Sequence, residues 1–455
     1  MNYTKALEYT HSLSRYGWIL GLGRLKILLE NLNNPQKHLK FIHVAGTNGK
    51  GTTSAFCANI LTESGFKTGL YISPAVLCFT ERFQIDGKFI SENEYARIAS
   101  KVAIITEKLS KEKIIITEFE FITAVAFCYF KENNCDYICL ETGLGGQYDA
   151  TNIIDPENAH INIITSISLD HISILGDTIE KITEEKAAII KSGGKVVNYP
   201  VQKPEATAVI AQRCAECNAV LHTPSLSTLE ILSSTIYGTK FMYADCEFTI
   251  KLAGEHQVYN AITAYTAMKL LNISDKMIVS GLAKTTFPAR FEVFEDTLKL
   301  DRLGNCAVQG RRPPLYEDTA REDNEAMCSF RGGLIIVDCA HNFDAMQLLA
   351  KNLRNYNISP EVLILGMLED KNYIQAAACI VPLCKNVILT NVPSERMIPP
   401  LKLAGYIEHS NVLIVPDNKE AINIARDTAL KSNNENPVVL ITGSLYLAGN
   451  MRRFL

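Results

Sequence analysis

Short apolar runs alternate with longer segments of helical periodicity through the first part of the chain. The apolar runs predict strands at residues 67–72, 137–140, 161–167 and 195–197. The segments between them predict helices at residues 91–108, 118–131 and 178–191. Because such strands are buried on both faces and joined by helical crossovers, we expect a mostly parallel, doubly wound α/β sheet.

The same alternation resumes after residues 287–291, with strands predicted at 334–337, 362–365, 387–389, 412–415 and 438–441. We therefore predict an N-terminal P-loop-type α/β domain over residues 1–295 and a smaller, Rossmann-like α/β domain over residues 296–455. Residues 303–333 are polar, lack periodicity and contain Pro-Pro and Gly-Gly pairs. We interpret them as an inserted, mobile loop, and we expect deletion of residues 305–329 to leave folding nearly intact.

Residues 41–53, which read FIHVAGTNGKGTT, carry the most informative motif. A short apolar run enters a glycine-rich turn, and a helical pattern follows, which directs backbone N–H groups and a helix N-terminus at a phosphate. Lys50 can add a charge at the terminal phosphates, and the Thr52 hydroxyl can ligate Mg²⁺. The strict pattern GxxxxGK[ST] is not met because Gly51 follows the lysine, which disfavours a kinase or GTPase. The alternative, an ordinary glycine turn, does not require a lysine and two hydroxyls.

Polar side chains follow several predicted strands, where ligands bind in doubly wound sheets. Ser73, Glu141 and His171 occupy such positions in the first domain, and Asp338 and His341 occupy them in the second. A single Glu or His at a strand end is more often structural. The glycine-rich residues 142–152 after Glu141 favour an Mg²⁺ ligand, and neutral imidazole makes His171 a second candidate.

Composition and charge exclude several classes of function. The chain has 455 residues, of which 47% are hydrophobic, and a formal net charge of −4, which argues against broad nucleic-acid affinity. No apolar stretch reaches membrane-spanning length and the N-terminus lacks a signal-peptide core, so we expect a cytoplasmic enzyme without a membrane partner. The thirteen cysteines are expected as buried small hydrophobes, and the CxxC of Cys214 and Cys217 lies in a predicted helix without a second CxxC, which disfavours a metal site.

The motifs together resemble the folylpolyglutamate synthase/dihydrofolate synthase family, a branch of the Mur ligase superfamily. The matching motifs run nearly end to end, and residues 303–333 fall outside them. They are Gly21-Leu22-Gly23-Arg24, Asn34-Pro35-Gln36, residues 43–52, Ser73-Pro74, Thr80-Glu81-Arg82, Glu118-Phe119-Glu120, residues 141–152 and 165–171, Glu185-Lys186-Ala187, Gly254-Glu255-His256-Gln257 with Asn260, residues 287–291 and 338–342, Gly366-Met367 with Asp370-Lys371, and Thr442-Gly443-Ser444-Leu445.

The resemblance implies an ATP-dependent amide ligase, in which ATP phosphorylates a carboxylate and the glutamate amino group attacks the acyl phosphate. It implies Lys50, Lys186, Asp338 and His341 as catalytic groups. It implies ATP contacts from Thr47, Asn48, Gly49, Lys50, Gly51, Thr52, Asn260, Arg290, Asp338 and His341. It implies two Mg²⁺ ions held by Thr52, Ser73, Glu141, His171 and Lys186, with Lys186 carbamylated into an oxygen ligand.

The resemblance also implies the substrates: a reduced folate or dihydropteroate, L-glutamate and ATP. Folate contacts are expected from Ser73, Pro74, Thr80, Arg82, Phe119 and Asp149. The chain departs from the family pattern at Ala75, Gln147 and Phe343, so the acceptor stays open between the two folate forms. We expect a monomer.

Two alternatives are weighed. A cell-wall Mur ligase carries a whole UDP-binding domain before the phosphate loop, whereas here only about forty residues precede it. A regulator that has lost catalysis is expected to lose Lys50, Glu141, His171 or Lys186, and all four are present.

Overall fold

The computed structural model describes residues 1–17, 19–296, 333–432 and 434–455, with the backbone alone at Asp296. The predicted insertion at 303–333 lies outside the described residues except for Gly333, and it stays a prediction. The chain divides into two compact units. The first comprises Met1–Ser233, Thr239–Lys251 and Glu255–Thr286, and the second comprises Ser234–Gly238, Leu252–Gly254 and Phe287–Leu455. The predicted domain limits at 295 and 296 stay a prediction.

The first unit is built on an eight-stranded sheet in the order β4-β3-β2-β5-β1-β6-β7-β8. Its strands are β1 (Phe41–Ala45), β2 (Thr68–Tyr71), β3 (Phe83–Ile85), β4 (Lys88–Phe89), β5 (Tyr137–Glu141), β6 (Ala159–Ile164), β7 (Lys195–Asn198) and β8 (Val220–His222). All six strands from β2 to β8 in this order pair in parallel, and β3 and β4 add an antiparallel edge. Every residue of β1 is buried because helices cover both faces of its sheet.

The helices of this unit are α1 (Tyr3–Ser12), α2 (Gly23–Asn31), α3 (Lys50–Glu63), α4 (Glu92–Lys111), α5 (Glu118–Glu132), α6 (Ile172–Leu175), α7 (Ile179–Ala187), α8 (Pro204–Glu216), α9 (Glu255–Lys269) and α10 (Asp275–Lys284). Local signals fix their starts. A capping box between Thr117 and Glu120 opens α5, and the Thr178 side chain accepts from the Lys181 N–H at the start of α7.

A three-stranded antiparallel sheet that we did not predict follows: β9 (Glu230–Thr235), β10 (Gly238–Tyr243) and β11 (Cys246–Ile250). Inward and outward residues alternate along β10, which is the pattern of a half-buried strand. Phe241 and Phe248 stack at 5.2 Å between ring centroids, and Tyr265 of α9 packs edge-on against Phe248 at 5.7 Å.

The second unit has a six-stranded sheet in the order β12-β13-β17-β14-β15-β16. Its strands are β12 (Glu292–Asp296), β13 (Gly333–Val337), β14 (Val362–Leu365), β15 (Asn386–Leu389), β16 (Val412–Ile414) and β17 (Val438–Thr442), and its helices are α11 (Phe343–Asn355), α12 (Tyr373–Ile380), α13 (Pro400–Ala404), α14 (Asn418–Lys431) and α15 (Leu445–Met451). All neighbours are parallel except β12, which pairs antiparallel with β13. The predicted α/β fold class is confirmed.

Short 3-10 turns lie at Leu13–Tyr16, Pro35–His38, Phe79–Arg82, Ala150–Ile153, Val381–Leu383 and Arg452–Phe454. Within the described ranges, no helix is long and apolar enough to cross a membrane. Cys214 and Cys217 are free thiols at the end of α8, and among the described residues no group of three His, Cys, Asp or Glu side chains is arranged to hold a metal ion.

Candidate active site

The phosphate loop connects β1 to α3 and packs against residues 165–168, which directly follow β6. The Thr47 N–H donates to the Ser166 carbonyl at 2.8 Å, and the Ser168 N–H donates to Thr47 Oγ1 at 3.1 Å. Gly46 packs so closely on Thr165 that a Cβ at position 46 would lie 1.8 Å from Thr165 Oγ1. Residues 165–168 therefore form the support under the loop.

Gly49 opens α3 in the left-handed region, with φ +86°, where a side chain would be strained. A Cβ there would also lie 2.6 Å from Asn260 Oδ1 of α9. The Asn260 Nδ2 in turn donates to Gln257 Oε1 at 3.0 Å. Asn260 thus lies against the turn of the phosphate loop, and its predicted contact with adenine stays a prediction.

The first turn of α3 offers free backbone donors and a hydroxyl. No side chain of the described residues caps this helix, so its first N–H groups are available to an anion. Thr52 is 1% exposed, and its Oγ1 has no hydrogen-bond partner among the described residues. The Lys50 Nζ donates to the Thr47 carbonyl at 3.2 Å. A buried hydroxyl without a partner at a helix N-terminus fits a nucleotide-bound Mg²⁺.

Ser73, Arg82 and Glu141 form a cluster at the carboxyl ends of β2 and β5. The Ser73 N–H donates to Glu141 Oε2 at 3.1 Å, and the Arg82 guanidinium donates to Ser73 Oγ at 3.0 Å. Glu141 is buried at the end of β5, the strand that pairs directly with β1. The structure thus brings together two predicted metal ligands, Ser73 and Glu141, and two predicted folate contacts, Ser73 and Arg82.

Lys186 reaches the phosphate loop from α7. Its Nζ donates to the Gly46 carbonyl at 2.8 Å, and the side chain is only 4% exposed. A carboxylated amine at this position would present oxygen atoms where the loop begins. His171 lies at the start of α6 in the left-handed region, φ +49°, with its N–H donating to Asp170 Oδ1 at 2.8 Å.

The glycine-rich loop after β5 is shaped by close packing. A Cβ on Gly143 would lie 2.5 Å from the Phe119 ring, and one on Gly146 would lie 2.5 Å from the Glu185 carbonyl of α7. The Gln147 N–H donates to that same carbonyl at 3.0 Å. The glycines are therefore required because the loop contacts both Phe119 and the helix that carries Lys186.

Asp149 is buried and holds this loop from within. Its carboxylate accepts from the Leu144 N–H at 2.8 Å and from the Thr151 N–H at 3.0 Å, and burial raises its pKa. The Thr151 hydroxyl also donates to Asp149, so His43 Nε2 must donate to Thr151 Oγ1, at 2.9 Å. Burial holds the pKa of His43 well below its usual range, so the ring is neutral. The predicted folate contact of Asp149 stays a prediction.

Thr80 lies in a loop that Glu81 closes. Glu81 is 2% exposed and accepts from the N–H groups of Val76 and Leu77. Pro74, at the start of this loop, follows a cis peptide bond. The predicted contacts of Pro74 and Thr80 with folate stay predictions. The role of Glu81 was missed because a clamp on backbone N–H groups leaves no signature beyond the residue itself.

The second unit holds the remaining predicted residues. Asp338, directly after β13, accepts from the N–H groups of Phe291 and Ala340, each at 2.8 Å. Burial raises the pKa of Asp338, and the Arg290 guanidinium opposes that rise. The His341 Nδ1 lies 2.9 Å from the Cys339 carbonyl, which can only accept, so Nδ1 carries a proton. Asp338, Arg290 and His341 thus belong to one local group.

Comparisons with known proteins agree with this arrangement. The Mur ligase middle domain matches residues 44–268, and the Mur ligase glutamate ligase domain matches residues 325–445. The chain is 31% identical to the dihydrofolate synthase/folylpolyglutamate synthase of Bacillus subtilis, over 100% of this chain and 99% of that protein. It is 32% identical to the folylpolyglutamate synthase of Lacticaseibacillus casei, over 100% and 99%. The solved structure of Mycobacterium tuberculosis folylpolyglutamate synthase with ADP and AMPPCP has a TM-score of 0.82 and 26% identity, covering 99% of this chain and 98% of that one.

The phosphate loop, the two α/β units and the paired domain matches define the class as Mur-type ligases. Relatives above 30% identity along the whole chain narrow this class to one family. The chain belongs to the folylpolyglutamate synthase/dihydrofolate synthase family. The family predicted from the motifs is therefore confirmed.

Proposed function

We propose that this chain is an ATP-dependent ligase that joins L-glutamate to the carboxylate of a reduced folate through an acyl phosphate. One arrangement carries the proposal: the buried Thr52 hydroxyl, without a partner among the residues that the structure describes, lies on the phosphate-loop helix, and Lys186 reaches the carbonyl at the start of that loop. A regulator without catalysis has no requirement for a buried lysine at this position. The cell-wall alternative is disfavoured because the matched relatives are folate enzymes along the whole chain.

The residues of the first unit hold the nucleotide. The N–H groups of Gly49, Lys50 and Gly51 face the phosphates, and the Lys50 ammonium adds charge where the γ-phosphoryl group transfers. Preorganised donors of this kind stabilise the charge that develops in the transition state. The folate carboxylate attacks the γ-phosphorus, the bond to the bridging oxygen breaks and ADP leaves. The glutamate amine then attacks the acyl carbon and loses a proton, and inorganic phosphate leaves.

Thr52, Ser73, Glu141, His171 and Lys186 are proposed to hold the Mg²⁺ ions, with Lys186 as a carbamate. When bound, Mg²⁺ supplies charge neutralisation and alignment of the phosphate oxygens. The Arg82 guanidinium can only donate, so it occupies one lone pair of Ser73 Oγ and leaves the other lone pair for a metal ion. Two ions and the carbamate follow from the family pattern, and the buried position of Lys186 supports them.

On the family resemblance, Arg290, Asp338 and His341 are proposed as ATP-binding residues, with Asp338 and His341 also as catalytic groups. Asn260 is proposed as a contact for adenine. The Asp338 carboxylate is fixed by two backbone N–H donors, which supports a fixed role rather than a mobile one. We also propose a cytoplasmic monomer, on the composition and the family resemblance alone.

The acceptor distinguishes the two activities of the family. The Bacillus subtilis relative is named for both activities and the Lacticaseibacillus casei relative for one, at nearly equal identity. Both acceptors present a carboxylate to the same γ-phosphate, so selection depends on the surface that binds the pterin. Ala75 removes a side chain that family members carry next to Ser73 and Pro74. We therefore rank the reduced folate first and dihydropteroate second.

The test is incubation of the purified protein with ATP, Mg²⁺, glutamate and one acceptor at a time, read by product mass. We expect glutamylation of tetrahydrofolate, and loss of product by orders of magnitude in Lys50→Ala at unchanged folding. A product from dihydropteroate alone would reverse the ranking. Absence of product from both acceptors would refute the function.

A further inference from the structure

Gln202 lies in the turn between β7 and α8, and its side-chain amide bonds to the chain that continues β6. Its Nε2 donates to the Thr165 carbonyl at 2.9 Å, and its Oε1 accepts from the Ile167 N–H at 2.9 Å. The Nε2 also lies 3.3 Å from Asn198 Oδ1, at the buried end of β7. One amide thus satisfies a donor and an acceptor two residues apart.

The segment that Gln202 holds is the support of the phosphate loop. Ser166 accepts from the Thr47 N–H, and the Ser166 hydroxyl donates to the Asn48 carbonyl at 3.3 Å. Thr165, on whose carbonyl Gln202 acts, donates its N–H to Ala45 at 2.8 Å, directly before the loop. β6 ends at Ile164, so the ladder with β7 no longer fixes residues 165–168. Gln202 supplies this missing lateral contact.

We propose that Gln202 is a positioning residue for nucleotide binding, acting through residues 165–168 on the backbone of the phosphate loop. The amide group suits this role because it offers one donor and one acceptor in a fixed plane. Loss of the amide leaves the Thr165 carbonyl and the Ile167 N–H without this partner. Residues 165–168 then keep their contacts with the phosphate loop but lose those with the turn after β7. This inference rests on the proposed function only in taking the phosphate loop as the nucleotide site.

The test is the dissociation constant of Mg-ADP, measured by calorimetry without folate or glutamate. Gln202→Met keeps the length of the side chain and removes its hydrogen bonds to Thr165, Ile167 and Asn198. Loss of the two bonds to residues 165–168, transmitted for the most part to the loop, predicts a dissociation constant about tenfold higher. Because no acceptor is present, failure of the ligase assay and failure of this inference are distinguishable.

Two controls separate positioning from general destabilisation. Gln212→Met makes the same chemical change at an exposed position of α8, where the amide donates to Glu216 at 3.0 Å. Val102→Ala opens a small cavity at a fully buried position of α4 and lowers the melting temperature without changing a contact of residues 165–168. Both controls should bind Mg-ADP within about twofold of wild type, which is less than the change that one lost hydrogen bond produces.

Wild-type affinity in Gln202→Met would overturn the proposal, as would an equal loss of affinity in Val102→Ala. Should Gln202→Met fail to fold, Gln202→Glu serves as the second variant, because it keeps the acceptor for the Ile167 N–H and loses the donor to Thr165. It should weaken Mg-ADP binding in the same direction. Unchanged affinity in Gln202→Glu would likewise overturn the proposal.

Discussion

Replacement of Thr52 by Val should make the protein more stable and its nucleotide site weaker. The Thr52 side chain is 1% exposed, and its hydroxyl has no partner in the described part of the chain. An unsatisfied buried polar group costs about 1–3 kcal/mol, and valine has nearly the same shape without that group. We therefore expect the free energy of unfolding of the nucleotide-free protein to rise by about 1 kcal/mol, which corresponds to a melting temperature about 2 °C higher for a unit of this size.

The same substitution removes an oxygen ligand proposed for Mg²⁺. The dissociation constant of Mg-ADP should rise at least about tenfold, which corresponds to a loss of about 1.4 kcal/mol or more. Nucleotide without Mg²⁺ should bind with nearly unchanged affinity, because the N–H groups of the loop are intact. Thermal unfolding with and without Mg-ADP measures both effects, since ligand binding raises the melting temperature of the folded state.

Thr53→Val is the matched control. Thr53 is the next residue of α3, fully buried, and its hydroxyl also has no partner among the described residues. It should gain stability to a similar extent and keep its affinity for Mg-ADP. The reasoning is refuted if Thr52→Val keeps full affinity, or if it lowers the stability of the nucleotide-free protein.

Three further predictions follow from particular contacts. Lys186→Ala should abolish ligation, and a small carboxylate added to this variant should restore part of the activity. If mass spectrometry of the active wild-type enzyme, recorded under CO₂, detects no carbamate on Lys186, the proposed ligand is contradicted. Gly146→Ala should destabilise the protein by about 1–3 kcal/mol, because its Cβ would lie 2.5 Å from the Glu185 carbonyl. Gly23→Ala is the control, because a Cβ at position 23 would have no atom within 4 Å and should cost no stability. Equal urea midpoints for the two variants would be inconsistent with the packing. Burial lowers the pKa of His43 in the folded state, so the full free energy of unfolding is present above the unfolded-state pKa of 6.5. Below pH 6.5 the free energy of unfolding falls by about 1.4 kcal/mol per pH unit, because the unfolded state binds the proton. His43→Gln should flatten this slope in urea titrations between pH 5 and 7.5, and an unchanged slope would exclude His43 as its source.

Parallel strands were the most predictable part of the fold. Buried runs such as those of β14 and β17 are nearly all apolar, and that signal survives without tertiary information. The antiparallel edges were missed because β3, β4 and β12 are short or partly exposed, and their pairing depends on neighbours distant in sequence. The predicted helix over 178–191 was too long at its end: α7 stops at Ala187, where the Ile189 and Ile190 N–H groups turn back to the last residues of the helix.

The candidate site was predictable where chemistry requires a particular side chain. Lys50 and Thr52 stand out in the glycine-rich turn itself, whereas Lys186 was identified only through the family resemblance; the structure places it at the phosphate loop. The residues that hold the phosphate loop from behind could not be predicted. No sequence motif or spacing links Gln202 to Thr165, although the two are hydrogen-bonded in the structure. The glycine-rich segment after β5 was interpreted as favouring Glu141 as a metal ligand, whereas the structure explains Gly143 and Gly146 by close packing.

The hairpin of β12 and β13 has a consequence for how this family can vary in length. Asp296 and Gly333 are paired in register, so the two chain ends that border the intervening residues are neighbours on adjacent strands. Paired residues on antiparallel strands lie about 5 Å apart, whatever number of residues joins them. An insertion between these two positions is therefore expected to leave the register of β12 and β13 unchanged, because the closure entropy of a loop grows only slowly with its length. The same reasoning makes this junction a candidate position for a reporter domain.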